Sequence, residues 1–177
     1  MDKIIISEDY YLSVPEEKDI PAYLNHFSDG EVSNYTFIPF PYTETDARTF
    51  LEVCRTKEKE FGHPLIFAIR NNSGELIGAI GFHGKNTHPA WQHKDEIGYW
   101  LAKEYRGKGI MAAAINAMVK FGQEVRGLSR FEAPIFSFNT ASEKVLLKCG
   151  FKEEGVLKSA YFKNGKFVDA KMFALVK

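Results

Sequence analysis

The segment Tyr105-Arg106-Gly107-Lys108-Gly109-Ile110-Met111 constrains the fold of this chain most, because the periodicity of the sequence changes across it. Before it, Glu96-Ile97-Gly98-Tyr99-Trp100-Leu101 reads as a strand; after it, residues from about 109 to 125 read as a helix. The first backbone N–H groups of a helix have no internal partner, and the helix dipole places partial positive charge at that end. Glycines let a backbone approach an anion closely. Arg106 and Lys108 add full positive charge. Strand, glycine turn and helix start together form a cradle for a phosphate-bearing ligand. The competing reading is an ordinary surface turn.

The helix after the turn is apolar on nearly every side. Met111, Ile115, Met118, Gly122 and Val125 form one stripe, and Ile110, Ala114, Ala117 and Phe121 a second. Only Asn116, Lys120 and Gln123 mark a narrow polar edge, so the helix is expected to pack deeply against a sheet. Candidate strands are residues 3–13, the wholly apolar Leu65–Ile69, Leu76–Phe82 after a turn at Asn71-Asn72-Ser73-Gly74, and Arg130–Phe138. A hairpin closes the chain, with Gly155–Phe162 and Phe167–Val176 flanking Asn164-Gly165, a strong signal for a tight primed turn. A weak helix is expected over Glu16–Asn25, interrupted at Asp19-Ile20-Pro21. A better one opens at Thr43, with Glu44 and Asp46 in its first turn and Phe50, Leu51 and Cys54 as its apolar stripe, and ends near Gly62. Thr140–Cys149 is a short helix stopped at Gly150. Asn34–Tyr42 reads as a loop dense in aromatics and prolines, and Lys85–Lys94 as a polar loop. This order of elements predicts an α/β (α+β) fold, a mixed sheet with helices on both faces, ending in a β-hairpin.

No repeat, low-complexity stretch or linker divides the chain, and 177 residues fit a single domain, 1–177. With 45% hydrophobic and 26% charged residues, global disorder is excluded. Lysine plus arginine equals aspartate plus glutamate, and a net charge of zero argues against a generally basic nucleic-acid binder. Cys54 and Cys149 lie far apart and read as buried, reduced thiols. The start of the sequence shows no signal pattern, and no stretch reaches the ~20 apolar residues of a membrane span. The expectation is a cytoplasmic protein without a membrane partner. His83, His88 and His93 match no dedicated metal spacing, so no metal is expected.

Three matches carry a resemblance over nearly the full length. Arg106-Gly107-Lys108-Gly109-Ile110-Met111 fits the pattern Arg/Gln-x-x-Gly-x-Gly/Ala, departing at Met111, where glycine or alanine is usual. Glu96–Leu101 is the strand before that loop. Asn139-Thr140-Ala141-Ser142 is followed by Leu146-Leu147-Lys148-Cys149-Gly150-Phe151. In this combination the chain resembles the GNAT superfamily of N-acetyltransferases, and within it the ribosomal-protein N-terminal acetyltransferases of RimJ/RimL type. Pro39-Phe40-Pro41-Tyr42-Thr43 fits that subgroup too.

The resemblance implies a mostly antiparallel central sheet and acetyl-CoA as cosubstrate. Arg106, Gly107, Lys108, Gly109, Ile110 and Met111 would hold the CoA pyrophosphate, mainly through main-chain N–H groups. Tyr99, Trp100 and Leu101 would pair their backbone with the pantetheine arm, and Asn139 would reach that arm. Gly98 inside the strand suggests a bulge or a close approach. Glu96 is the candidate general base, acting through water on the acceptor ammonium. A backbone N–H near Trp100 is the candidate for oxyanion stabilisation. Ser142 is the candidate general acid for the CoA thiolate; many superfamily members place a tyrosine one turn on, where Leu146 stands here. The alternative is a thiolate leaving without a dedicated acid.

Each assignment has a structural competitor. Glu96 also reads as a solvated strand end. Thr140-Ala141-Ser142-Glu143 is a capping box that would start a helix in any case. Cys149 could serve an acyl-cysteine chemistry, but no base lies near it in sequence, and a core thiol is the expectation. Tyr35, Phe37, Phe40, Tyr42 and Trp91 either wall an acceptor pocket or belong to the core. The reading is an acetyl-CoA-dependent N-acetyltransferase acting by direct attack in a ternary complex, on a protein or peptide α-amino group. A small amine (polyamine, amino sugar or amino-acid-like) is the alternative, and a non-catalytic acyl-CoA-binding module the second. Whether the chain acts alone or as a homodimer, and whether 85–94 is a lid, stay open.

Overall fold

The structure is a computed structural model that describes residues 3–84 and 88–177. The first three residues of the loop 85–94 lie outside the described residues, and with them the question of a lid. The strands follow the order β1-β2-β3-β4-β5-β6-β8-β7, and all pairs described are antiparallel except β5 with β6. The expected mixed, mostly antiparallel sheet with a closing hairpin is therefore what the chain forms. Two compact units divide the contacts: Met1–Phe82 with Tyr99–Ala117, and His83–Gly98 with Met118–Lys177.

The first unit holds β1 (Ile4–Ile5), β2 (Tyr10–Ser13), β3 (Ile66–Asn71) and β4 (Leu76–Phe82), with α1 (Ile20–His26), α2 (Glu31–Tyr35) and α3 (Glu44–Phe61). Residues 3–13, expected as one strand, form two antiparallel strands, because the polar run Ser7-Glu8-Asp9 favours a turn. The expected helix over Glu16–Asn25 begins as a 3-10 turn and becomes α1 only at Ile20. Pro21 sits in its first turn, where a missing N–H costs no hydrogen bond. α2 falls partly inside the segment read as a loop; five residues are too few to show a period. α3 starts as expected. The Thr43 side chain accepts from the Asp46 N–H while the Asp46 carboxylate accepts from the Thr43 N–H at 2.8 Å. Its buried Ala47 and Leu51 join Tyr23, Phe27, Ala79 and Trp100 in the core of this unit. Beside that core, Arg70 is fully buried and clamps Asp19 with two bonds of 2.7 Å, while its Nε donates to Ser13 Oγ at 2.7 Å.

β5 (Lys94–Leu101) and α4 (Ile110–Arg126) each run from one unit into the other along the chain. The expected inward faces of α4 are buried with two exceptions: Ala117, in the second stripe, is half-buried, and Val125, in the first, is 48% exposed in the last turn. The second unit continues with β6 (Arg130–Phe136), α5 (Thr140–Lys148), β7 (Lys152–Lys163) and β8 (Lys166–Val176). β6 stops two residues early, leaving Phe138 exposed. β7 begins three residues before Gly155, because irregularities in its register near Gly155 and between Leu157 and Tyr161 let one strand absorb extra residues. The hairpin turn falls at Asn164-Gly165, with φ of 50° and 77°. Both cysteines are free and half-buried rather than fully buried.

Candidate active site

The glycine turn belongs to the first unit. Gly107 and Gly109 adopt φ of 75° and 80°, a region that side chains with a Cβ enter only at a cost. A Cβ at either position would meet nothing within 4 Å, so backbone conformation, and not crowding, requires glycine here. The α4 ladder opens with the Ala113 N–H on Gly109 O at 3.1 Å, which makes Gly109 the cap. A glycine cap has no side-chain oxygen of its own to offer the first turn, and the helix dipole places partial positive charge at this end. Met111 is 7% exposed, so the bulky residue at the irregular position is taken into the core.

Arg106 is more engaged than the sequence suggested. Its Nε donates to the Leu101 carbonyl at 3.0 Å and its Nη1 to Glu31 at 2.9 Å. It therefore ties the turn to the end of β5 and to α2, and part of its charge is already matched. The Lys108 ammonium lies 5.3 Å from the centre of the Tyr105 ring, within cation–π range. The Trp100 side chain packs on Phe27 at 4.7 Å between ring centres. Of the three strand residues expected to meet a cofactor, Trp100 thus has its side chain committed to the core and only its backbone to offer.

In the second unit, Asp95 and Glu96 alternate across β5. Asp95 is fully buried, accepts from the Gly84 and Glu96 N–H groups and pairs with Arg126 at 2.6 Å. Glu96 faces the other way, its side chain 27% exposed, with Oε2 2.9 Å from His83 Nδ1. The Tyr161 phenol on β7 is pushed up from its ordinary value by burial and, next, by the Glu96 charge. His83 was weighed in the sequence only as a metal ligand, and Tyr161 was not singled out. No local signal links either to Glu96, since His83 is 13 residues away across a strand pair. Among the described residues no cluster of three or more His, Cys, Asp or Glu could hold a metal.

Asn139 and Ser142 also lie in this unit, at the start of α5. Asn139, not Thr140, is the N-cap: its Oδ1 accepts the Ser142 N–H at 3.1 Å. The cap expected at Thr140 thus falls one residue earlier, and Asn139 has a structural duty of its own. Cys149 closes the same helix; burial pushes its thiol up, the reverse of an activated nucleophile. Tyr35, Phe37, Phe40 and Trp91 are exposed, while Tyr42 packs on Phe27 at 4.7 Å between ring centres. The aromatic set therefore splits between surface and core.

A sequence model of the acetyltransferase (GNAT) domain matches residues 10–152. The chain belongs to the GNAT acetyltransferase family. The matched span includes every candidate site residue from Glu96 to Ser142. The uncharacterized N-acetyltransferase YoaA of Bacillus subtilis is 32% identical over 162 residues, 91% of this chain and 89% of that protein. The ribosomal-protein-serine acetyltransferase of Escherichia coli is 35% identical over 102 residues, 58% of this chain and 55% of that protein. Among solved structures, RimL, a ribosomal L7/L12 α-N-protein acetyltransferase in complex with coenzyme A, superposes with a TM-score of 0.86 at 22% identity, covering 99% of this chain and 98% of that one; this likeness concerns the fold. The microcin C7 self-immunity acetyltransferase MccE, in complex with acetyl-CoA and AMP, gives a TM-score of 0.81 at 25% identity, covering 97% and 94%. The expectation of a GNAT enzyme that uses acetyl-CoA is borne out at the level of the family. Among the described residues no helix is long and apolar enough to cross a membrane.

Proposed function

We propose that this chain, as one catalytic domain over residues 1–177 in the cytoplasm, moves the acetyl group of acetyl-CoA to a primary amine, with the α-amino group of a protein or peptide as acceptor. The observation that carries the reading is the half-buried Glu96 carboxylate held 2.9 Å from His83 Nδ1, on the strand that leads into the glycine turn. A catalytically silent CoA-binding module would keep the turn and have no use for such an acid.

When bound, acetyl-CoA supplies the acetyl group. The main-chain N–H groups of Gly107 to Met111, with Lys108 beside them, suit its pyrophosphate, and the open space around the two glycines fits an anion. Tyr99, Trp100 and Leu101 offer backbone to the pantetheine arm, and Asn139 is assigned to the same arm. Glu96 accepts a proton from the acceptor ammonium through water. An α-amino group has a reference pKa of ~7.7–8.0 against ~10.4 for lysine, so a carboxylate–water relay suits an N-terminus far better than a lysine side chain. Ser142 is assigned the return of a proton to the thiolate. The E. coli relative's ribosomal-protein-serine substrate supports a protein acceptor.

One observation favours a second reading, a small-molecule amine: MccE, similar over nearly the full chain, is a self-immunity enzyme whose structure holds AMP. An acceptor screen with acetyl-CoA separates the two. Peptides with free N-termini are expected to be acetylated and N-blocked, lysine-bearing peptides to be spared. Equal rates on both, or turnover confined to small amines, overturns the α-amino assignment. Glu96→Gln is expected to slow turnover at neutral pH while leaving acetyl-CoA affinity nearly unchanged.

A further inference from the structure

We propose that His83 is a positioning residue for Glu96, fixing the orientation of its carboxylate, and that Gly98 is glycine in order to seat the His83 ring. The proposal rests on the reading of Glu96 as the base.

Two bonds join His83 to Glu96. The His83 N–H donates to the Glu96 carbonyl at 3.0 Å, and Nδ1 lies 2.9 Å from Oε2. An ionised carboxylate only accepts, so Nδ1 carries the proton when Glu96 is charged. Glu96 and Gly98, two apart on β5, share one face of the strand. The ring crosses that face: a Cβ on Gly98 would stand 2.9 Å from His83 Nε2, so the ring would have to move aside. Gly98 is not among the glycines with positive φ, so its backbone would accept another residue. Space for the ring is what the glycine provides.

Stability does not account for this arrangement. Glycine inside a strand weakens it, and a hydrogen-bonded pair with side chains 43% and 27% exposed contributes little to folding. What the arrangement does achieve is to direct the carboxylate, whose Oε2 is held by a ring that lies across Gly98. Besides His83, the Tyr161 phenol on β7 feels the Glu96 charge. His83 acts through Glu96 and needs no contact with the acceptor.

Two measurements on the full-length protein test this. The first needs no substrate: long-range ¹H–¹⁵N spectra of the imidazoles. The wild type is expected to show His83 as the Nδ1–H tautomer, and Glu96→Ala or Gly98→Ala to shift it toward the Nε2–H form of free imidazole. A wild-type Nε2–H signal, or a spectrum unchanged in Gly98→Ala, overturns the proposal. The second is steady-state kinetics on the best acceptor from the screen. His83→Phe is expected to lower kcat about tenfold or more with the KM for acetyl-CoA unchanged, whereas His83→Asn, whose amide can replace Nδ1–H, stays within about threefold of wild type. The His83→Phe/Glu96→Gln double variant should be no slower than Glu96→Gln alone, because one residue works through the other. If Glu96→Gln retains full activity, the reading of Glu96 as base fails. If Glu96→Gln is slow but His83→Phe matches wild type, only the role of His83 falls.

Discussion

The Arg106 guanidinium and the Glu31 carboxylate meet at 2.9 Å, so the most basic residue of the glycine turn is restrained by an acid from α2. The Lys103 ammonium lies 3.9 Å from the same carboxylate. Glu31 therefore places negative charge beside a turn proposed to hold an anion. Glu31→Gln is expected to tighten acetyl-CoA binding by about two- to fivefold at low ionic strength, with the gain fading by about 0.5 M salt. Calorimetric titration at two salt concentrations checks this; weaker binding in both would show that Glu31 serves mainly to orient Arg106.

At Gly107 and Gly109 only the backbone demands glycine, and that sets an order among substitutions. Alanine at either site should cost about 1 kcal/mol, and a β-branched residue more. Asparagine, which tolerates the left-handed region, should cost less than alanine. For a chain of this size 1 kcal/mol corresponds to roughly 2–4 °C in Tm. A thermal melt of Gly109→Ala, Gly109→Asn and Gly109→Val reads the order directly; equal losses in all three would point to crowding instead.

Two buried groups of the first unit should respond in opposite senses. Asp19→Ala leaves the Arg70 guanidinium buried without its carboxylate and should cost about 3–5 kcal/mol. The Tyr23 hydroxyl, by contrast, is buried with no hydrogen-bond partner among the described residues. Tyr23→Phe removes an unsatisfied group while keeping the ring, so stability should hold or rise by up to about 1 kcal/mol. Urea denaturation of the two variants measures both.

Acid should destabilise the fold through hydrogen-bonded carboxylates. Bonds from Thr43 hold Asp46 below its ordinary value, a bond from Arg130 does so for Glu154, and bonds from Lys158 and the Ser159 N–H do so for Asp169. A depressed folded pKa contributes stability above the unfolded value and loses it as pH falls through the folded one. Tm is thus expected to be level between about pH 7 and 5 and to fall below about pH 4. Asp46→Asn should lessen the fall by removing one titrating carboxylate from the α3 cap.

What could be read from the sequence depended on the range of the signal. Leu76–Phe82 was found to the residue because every position is buried and apolar. α3 was found because Thr43 and Asp46 announce it locally. α2, with five residues, has no period to detect. α5 begins at Thr140 as expected, but its cap is Asn139 and not Thr140: both are good caps, and only the Ser142 N–H decides between them. The glycine turn and Glu96 were legible as motifs. His83 and Tyr161 were not, since both are far from Glu96 in the chain and no local spacing links them to it.

Asp95 and Glu96 are chemically alike and adjacent, yet one is locked onto Arg126 and the other turned outward. Nothing but the pleat of β5 sorts them. A single-residue insertion or deletion before this pair would exchange their stations, sending the anchoring acid into solvent and the outward one against the wrong arginine geometry. Length in β5 is therefore as heritable a trait as the acids themselves, and substitutions along the strand should be far better tolerated in evolution than any change in its count of residues.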